Sequence, residues 1–384
     1  MHEHQRPRRR DAVGSGPASG PAPEPVDVLR VGLERFIAEE PGGRTTHGNG
    51  GGGDGDGGSN DGGGGTRVDV TGLRRITGGM SREAWSFDVS IGSGPARPCI
   101  LMRSAAAGVL DTDRVREFHL LASLRGGGVP VPEALWLDPD GRWLDRPAFV
   151  MSRMPGSADR RALGLDSAAA AAIDDQLLDT LVTLHAFPVD RLDLGPGRAG
   201  TPTAALPDRR SVALEQLARW ETALPEEDLD RQPALVEILA WLRDRAPVAE
   251  RLALVHGDYR YGNFLHDGHR ITAILDWEEA HVGDPVEDVP WTFRPFRRGT
   301  EPLRSYRRWV ADYERASGTS IDRTTLAWYR VLGELKCAAI YLTGLRSFRT
   351  VGGHDLSLAI PGQLIPCDLR QAWLWIDELE LNRC

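Results

Sequence analysis

At 384 residues the chain is longer than one average domain, which predicts two lobes or two domains with full-sized cores. Its formal net charge of −9 removes the electrostatic reason to expect nucleic acid as a main partner, and no apolar run approaches the length of a membrane span. Cys99, Cys337, Cys367 and Cys384 are scattered without a Cys-x-x-Cys spacing, so unpaired thiols in a reducing, cytoplasmic compartment are expected rather than a disulfide framework or a zinc site.

Residues 1–24 are rich in Pro, Gly and charge and read as a disordered tail, with Arg6 to Arg10 a solvated basic cluster and no apolar core for an export signal. Val26, Leu29, Val31, Leu33, Phe36 and Ile37 predict an amphipathic helix within residues 25–41. Residues 42–66 have the composition of a flexible insertion, and Asp54, Asp56 and Asp61 lack the closing Glu of a calcium loop.

From Val68 to Val89 strand-like segments flank Gly78-Gly79-Met80-Ser81, where two glycines and a serine let backbone amides approach phosphate oxygens. Cys99 to Arg103 is an apolar strand ending in a cation, and Thr112 to Leu124 is a helix with an acidic start. Helical patterning follows from Ala168 to His185, Ser211 to Ala223 and Pro233 to Arg245, and again from Pro302 to Ala316, Thr324 to Leu345 and Asp368 to Leu379.

The most informative stretch runs from Leu254 to Leu265 and on through Ile271 to Glu278. Its short apolar runs, each closed by polar residues and separated by a Gly-containing turn, read as paired strands holding a loop. Asp258, Asn263 and Asp276 carry the oxygen donors that Mg²⁺ prefers, and a carboxylate a few residues before an Asn supplies both a proton acceptor and a metal ligand. That combination suits phosphoryl transfer.

His256-Gly257-Asp258 with Asn263, then Asp276-Trp277-Glu278 and Gly283 to Asp288, resembles the signature of the aminoglycoside phosphotransferase superfamily. The resemblance implies an α+β, protein-kinase-like two-lobe fold. Its N-lobe, residues 67–153, would be an antiparallel sheet with one helix, and its C-lobe, residues 154–384, helical with the catalytic loop. It further implies ATP and Mg²⁺, with Asp258 as base, Arg260 beside it, and Asn263 and Asp276 on the metal. Gly78, Gly79 and Ser81 would cover the nucleotide, Arg103 would stand where kinases carry Lys and pair with Glu117, and Met151, Ser152 and Met154 would form the hinge against adenine. Asp288 would brace the catalytic loop, while His256 and His185 would be structural.

The acceptor is less defined. Arg294, Arg297, Arg298, Arg304, Arg307 and Arg308 form either a solvated helix face or a border of the cleft, the latter favouring a neutral or anionic small-molecule hydroxyl. The segment from Tyr306 to Lys336 resembles the branch related to the kinase domains fused to acyl-CoA dehydrogenases, which implies a hydroxylated acyl thioester or similar molecule. An antibiotic-modifying kinase and a nucleotide-binding pseudokinase stand as alternatives, the second because of Arg103.

Overall fold

The computed structural model describes residues 26–40, 67–76, 82–104, 113–159, 168–195, 206–224, 232–293, 304–350 and 356–381. The tail, the Gly/Asp-rich insertion, Gly78, Gly79, Ser81, Arg294, Arg297 and Arg298 lie outside them.

Helix α1 (Val26–Glu39) buries Leu29, Leu33, Phe36 and Ile37, the stripe its spacing predicts. It docks on the outer face of a five-stranded antiparallel sheet ordered β1-β2-β3-β5-β4, formed by Val68–Ile76, Arg82–Ile91, Arg97–Ser104, Ala134–Asp138 and Ala148–Ser152. Gly32 permits this contact, because a Cβ there would lie 2.9 Å from the Trp143 carbonyl oxygen. Period-two alternation sorts β3 between two cores: Cys99 and Leu101 pack under α1, while Ile100 and Met102 face α2 (Arg114–Leu124). The expected N-terminal sheet with one inner helix is therefore present, with α1 added behind it.

The remaining chain is mainly helical. α3 (Ala168–His185) belongs to the core that reaches the sheet, whereas α4 (Val212–Thr222), α5 (Pro233–Asp244), α8 (Arg323–Thr350) and α9 (Ile365–Leu381) build a second core around Trp220, Trp291 and Trp328. Between these helices lie four short strands. The two apolar runs do form strands, but each finds its own partner: β6 (Ala253–Val255) pairs with β9 (His281–Gly283), and β7 (Phe264–His266) with β8 (Ile271–Ile274). The segment after β5 is fastened to this hairpin by reciprocal backbone bonds between Ser157 and His266, at 2.9 and 3.0 Å. Among the described residues no helix is long and apolar enough to cross a membrane.

Candidate active site

The loop from His256 to Asn263 is held from below by one buried carboxylate. Asp288, which opens the short helix α6 (Asp288–Trp291), accepts from the amides of His256 at 2.7 Å and Gly257 at 2.9 Å. Burial opposes its charge, yet the His185 contact and the neighbouring His256 hold its carboxyl below the usual value. Burial keeps His185 low and therefore neutral, so its Nε2 donates to Asp288 at 3.2 Å while Nδ1 faces the Tyr313 hydroxyl at 2.8 Å. The expected bracing role of Asp288 thus has a geometric basis.

His256 is also buried and pulled below its ordinary value by that burial. Its Nε2 faces the Leu275 carbonyl at 3.0 Å, and its Nδ1 accepts from the Asp258 amide at 3.1 Å. Both nitrogens of one neutral tautomer are used, which fixes the ring as a spacer between the catalytic loop and β8.

Asp258 lies at the end of this scaffold with 17% of its side chain exposed. Oδ1 accepts from Arg260 Nε at 2.8 Å and Trp291 Nε1 at 2.6 Å, and Oδ2 from Asn263 Nδ2 at 2.5 Å. The carboxylate cannot rotate without breaking one of these bonds. Gly257, at φ +78°, must be glycine, since a Cβ would meet the Glu279 carbonyl oxygen at 2.7 Å.

The hairpin brings the two expected metal ligands together. Phe264 stands opposite Ile274, and Leu275 N donates to Asn263 O at 2.8 Å, so Asn263 and Asp276 end adjacent strands. Asp276 has left-handed backbone angles, φ 72° and ψ 54°. No cluster of three or more His, Cys, Asp or Glu able to hold a metal is found among the described residues. An Asn and an Asp nonetheless fit Mg²⁺, which commonly takes one or two protein ligands and completes its shell with phosphates and water.

The expected cofactor residues have mixed outcomes. Arg103 is buried and its guanidinium donates to Glu83, at 3.2 Å from Nε and 2.8 Å from Nη2, not to Glu117. Arg146 shares Glu83, and although burial would raise that carboxyl, the two arginines hold it below its usual value. Glu117 is instead met at 2.5 Å by Arg114, whose other Nη reaches Glu278 at 3.4 Å. This inverts the expected pairing: Glu83 lies opposite Arg103 in the β2–β3 register, whereas Arg114 is one helical turn before Glu117. Arg114 thereby ties α2 to the turn that follows Asp276. In the hinge, the Ser152 amide is committed to Glu133 O at 2.9 Å and the Arg153 amide to Pro98 O at 3.0 Å. Met151 is likewise within the β3–β5 ladder, which leaves Met154 as the hinge position beyond it.

Of the arginine-rich segment, Arg304 and Arg308 are held in ion pairs and do not stand as a free basic border. Arg304 Nε meets Asp174 at 2.7 Å and its other nitrogens engage Asp175 and Asp312, while Arg308 and Arg315 also converge on Asp312. These pairs staple α7 (Tyr306–Ser317) to α3.

Two participants escaped the sequence reading. Lys336 is 3% exposed in α8, and its Nζ donates to the Gly257 carbonyl between the faces of Trp291 at 4.4 Å and Trp220 at 5.0 Å. Trp291 in turn holds Asp258. The available signal was compositional, since Lys336 is the sole lysine in a chain with 46 Lys and Arg in total.

Comparison with known proteins agrees with this geometry. Over 182 residues the chain is 29% identical to acyl-CoA dehydrogenase family member 10 of Mus musculus, covering 46% of this chain and 16% of that protein. It is 25% identical over 244 residues to the hygromycin-B 4-O-kinase of Escherichia coli, covering 62% of this chain and 67% of the kinase. A solved structure from Ralstonia eutropha, assigned as an aminoglycoside phosphotransferase, superposes with a TM-score of 0.62 at 19% identity, over 80% of this chain and 92% of that one. The chain spans less than a third of the acyl-CoA dehydrogenase relatives it matches first, 16% and 30% of their lengths. The fold is thus kinase-like, and the family profile matches residues 73–329: the chain belongs to the phosphotransferase enzyme family.

Proposed function

We propose that the protein transfers the γ-phosphoryl group of ATP to a hydroxyl of a small molecule, with Asp258 as the base. The observation that carries this reading is the Asp258 carboxylate, clamped by Arg260, Trp291 and Asn263 beside the Asn263–Asp276 pair. In the reaction the acceptor oxygen attacks phosphorus, its proton passes to Asp258, and the bond from the γ-phosphorus to the bridging oxygen breaks to release ADP.

Asn263 and Asp276 would hold Mg²⁺, which when bound offsets charge on the phosphates. Arg260, fixed to Asp258 at 2.8 Å, would meet the transferred phosphoryl group. Arg103, on the same face of β3 as Cys99 and Leu101, is held under α1 by Glu83 and the Leu144 carbonyl and is not assigned to the nucleotide, whereas Gly78, Gly79 and Ser81 would supply amides over it. Met154 has the hinge position best suited to adenine.

The likeness to acyl-CoA dehydrogenase family member 10 favours a hydroxylated acyl compound as acceptor, and that to the hygromycin-B kinase favours an aminoglycoside. ATP consumption should be followed across a panel containing hydroxyacyl thioesters, hydroxy acids and hygromycin B, with Asp258→Asn as blank. Consumption that persists in the variant refutes the assignment of Asp258, and none with any acceptor refutes the proposed function.

A further inference from the structure

The indole N–H groups of Trp136, Trp277, Trp309 and Trp328 donate to backbone carbonyls, those of Glu40, Ile274, Val289 and Leu242. A buried tryptophan needs such a partner, and a main-chain oxygen supplies it without chemical consequence. Trp291 differs. Its Nε1 donates at 2.6 Å to Oδ1 of Asp258, the side chain read above as the base.

The surroundings of Trp291 leave the indole little freedom. Helix α6 is a single turn with Asp288 at its first position and Trp291 at its fourth, so the two side chains share one face. Asp288 holds the amides of His256 and Gly257, while Trp291, 5% exposed, holds the Asp258 carboxylate. One helical turn therefore sets the spacing between the loop backbone and the carboxylate it presents. The indole face meets the Lys336 ammonium at 4.4 Å, and Lys336 also donates to the Gly257 carbonyl. A cation against the ring draws its electrons and makes the N–H a stronger donor.

The two oxygens of Asp258 are not equivalent. Arg260 also donates to Oδ1, at 2.8 Å, so both lone pairs of that oxygen are taken, whereas Oδ2 accepts from Asn263 alone, at 2.5 Å. Resting on the kinase reading above, we propose that Trp291 is a positioning residue for the base: with Arg260 it saturates Oδ1 and leaves the open lone pair of Oδ2 to receive the acceptor's proton. As the acceptor oxygen bonds to phosphorus, its proton passes to Oδ2, and the electron pair of the broken P–O bond leaves with ADP. Oδ1 keeps both donors throughout, so the carboxyl does not have to turn as the proton arrives. The gain is one of orientation.

Trp291→Phe keeps a ring for Lys336 to lie against and removes the N–H. With ATP and an acceptor that the wild type phosphorylates, kcat should fall roughly tenfold or more, as loss of a bond to a charged group implies, with both KM values within about twofold. A raised KM with kcat intact would assign the indole to substrate binding and overturn the proposal, as would wild-type values throughout.

A second measurement needs neither turnover nor a folded Trp291 variant. In the intact chain, isotope-labelled at the indole nitrogens of its 11 tryptophans, one N–H proton should resonate well downfield, as a short bond to a carboxylate requires. Asp258→Ala should move that signal upfield. Indole signals that all keep their positions in Asp258→Ala overturn the proposal. The two readings fail separately. An Asp258→Asn protein that still consumes ATP defeats the base assignment whatever Trp291→Phe does, whereas an inactive Asp258→Asn beside a fully active Trp291→Phe defeats only the positioning role.

Discussion

The catalytic loop and the α3–α7 junction both concentrate arginine and aspartate, but they use charge in opposite ways. At the junction Arg304 is neutralised by Asp174, Asp175 and Asp312, and the result is a staple between helices. In the catalytic loop the buried carboxylate Asp288 is spent on backbone amides, so the bonds set loop shape, and Asp258 is left partly exposed. Local density of charge therefore does not identify a site; what identifies it is where the hydrogen bonds end.

The strongest test of that contrast is Asp258→Asn, which keeps the side-chain outline, removes the base and turns one accepting oxygen into a donor. Turnover should fall by about a thousandfold, within the range for loss of a general base, while the lost hydrogen bond should lower stability by only about 1–3 kcal/mol. A loss under tenfold would place Asp258 with the structural carboxylates. The junction should behave in reverse. Arg304→Ala removes the guanidinium that meets Asp174, 3% exposed at its side chain, and should cost on the order of 3 kcal/mol in denaturant unfolding, with acceptor KM unaltered.

Asp284 offers a third behaviour, that of a carboxylate kept short of positive charge. Burial pushes its carboxyl up from 3.8 to about 6. Between those values the folded chain binds more protons than the unfolded one, so stability should fall as pH rises from about 4 to about 6. The difference amounts to at most about 3 kcal/mol. Unfolding curves of wild type and Asp284→Asn across this interval should show the decline in the wild type only; parallel curves would contradict it.

The smallest expected effect concerns the support beneath Gly257. Lys336→Met keeps the stem between the two tryptophans and removes the Nζ donor. The kcat should then drop about tenfold with little change in the KM for ATP, as expected when a catalytic group is displaced while the nucleotide is still held. If kcat is retained, Lys336 serves packing alone.

Much of this organisation was legible in the sequence because its spacing is local. Asp258 and Asn263 share one loop, Asp276 follows a single hairpin later, and the helical stripe from Ala168 to His185 has the bounds its pattern predicts. The pairing of Arg103 was not legible. A carboxylate on the facing strand and one on the next helix are both plausible partners, and β2–β3 register decides between them. Lys336 reaches Gly257 across 79 residues, a contact that only tertiary packing creates. The arginine-rich segment misled for the complementary reason: Arg304 reads as a free charge until α3 brings Asp174 to it across 130 residues.

Asp276 separates chemistry from conformation in a way that can guide engineering. Its left-handed backbone, φ 72°, imposes a penalty of about 1 kcal/mol on most side chains but not on glycine. Selection for heat resistance alone would therefore reward Asp276→Gly even as it erased a proposed magnesium ligand. Thermal screens of this protein should be coupled to a nucleotide-binding readout, or they will enrich robust molecules that have lost their trade.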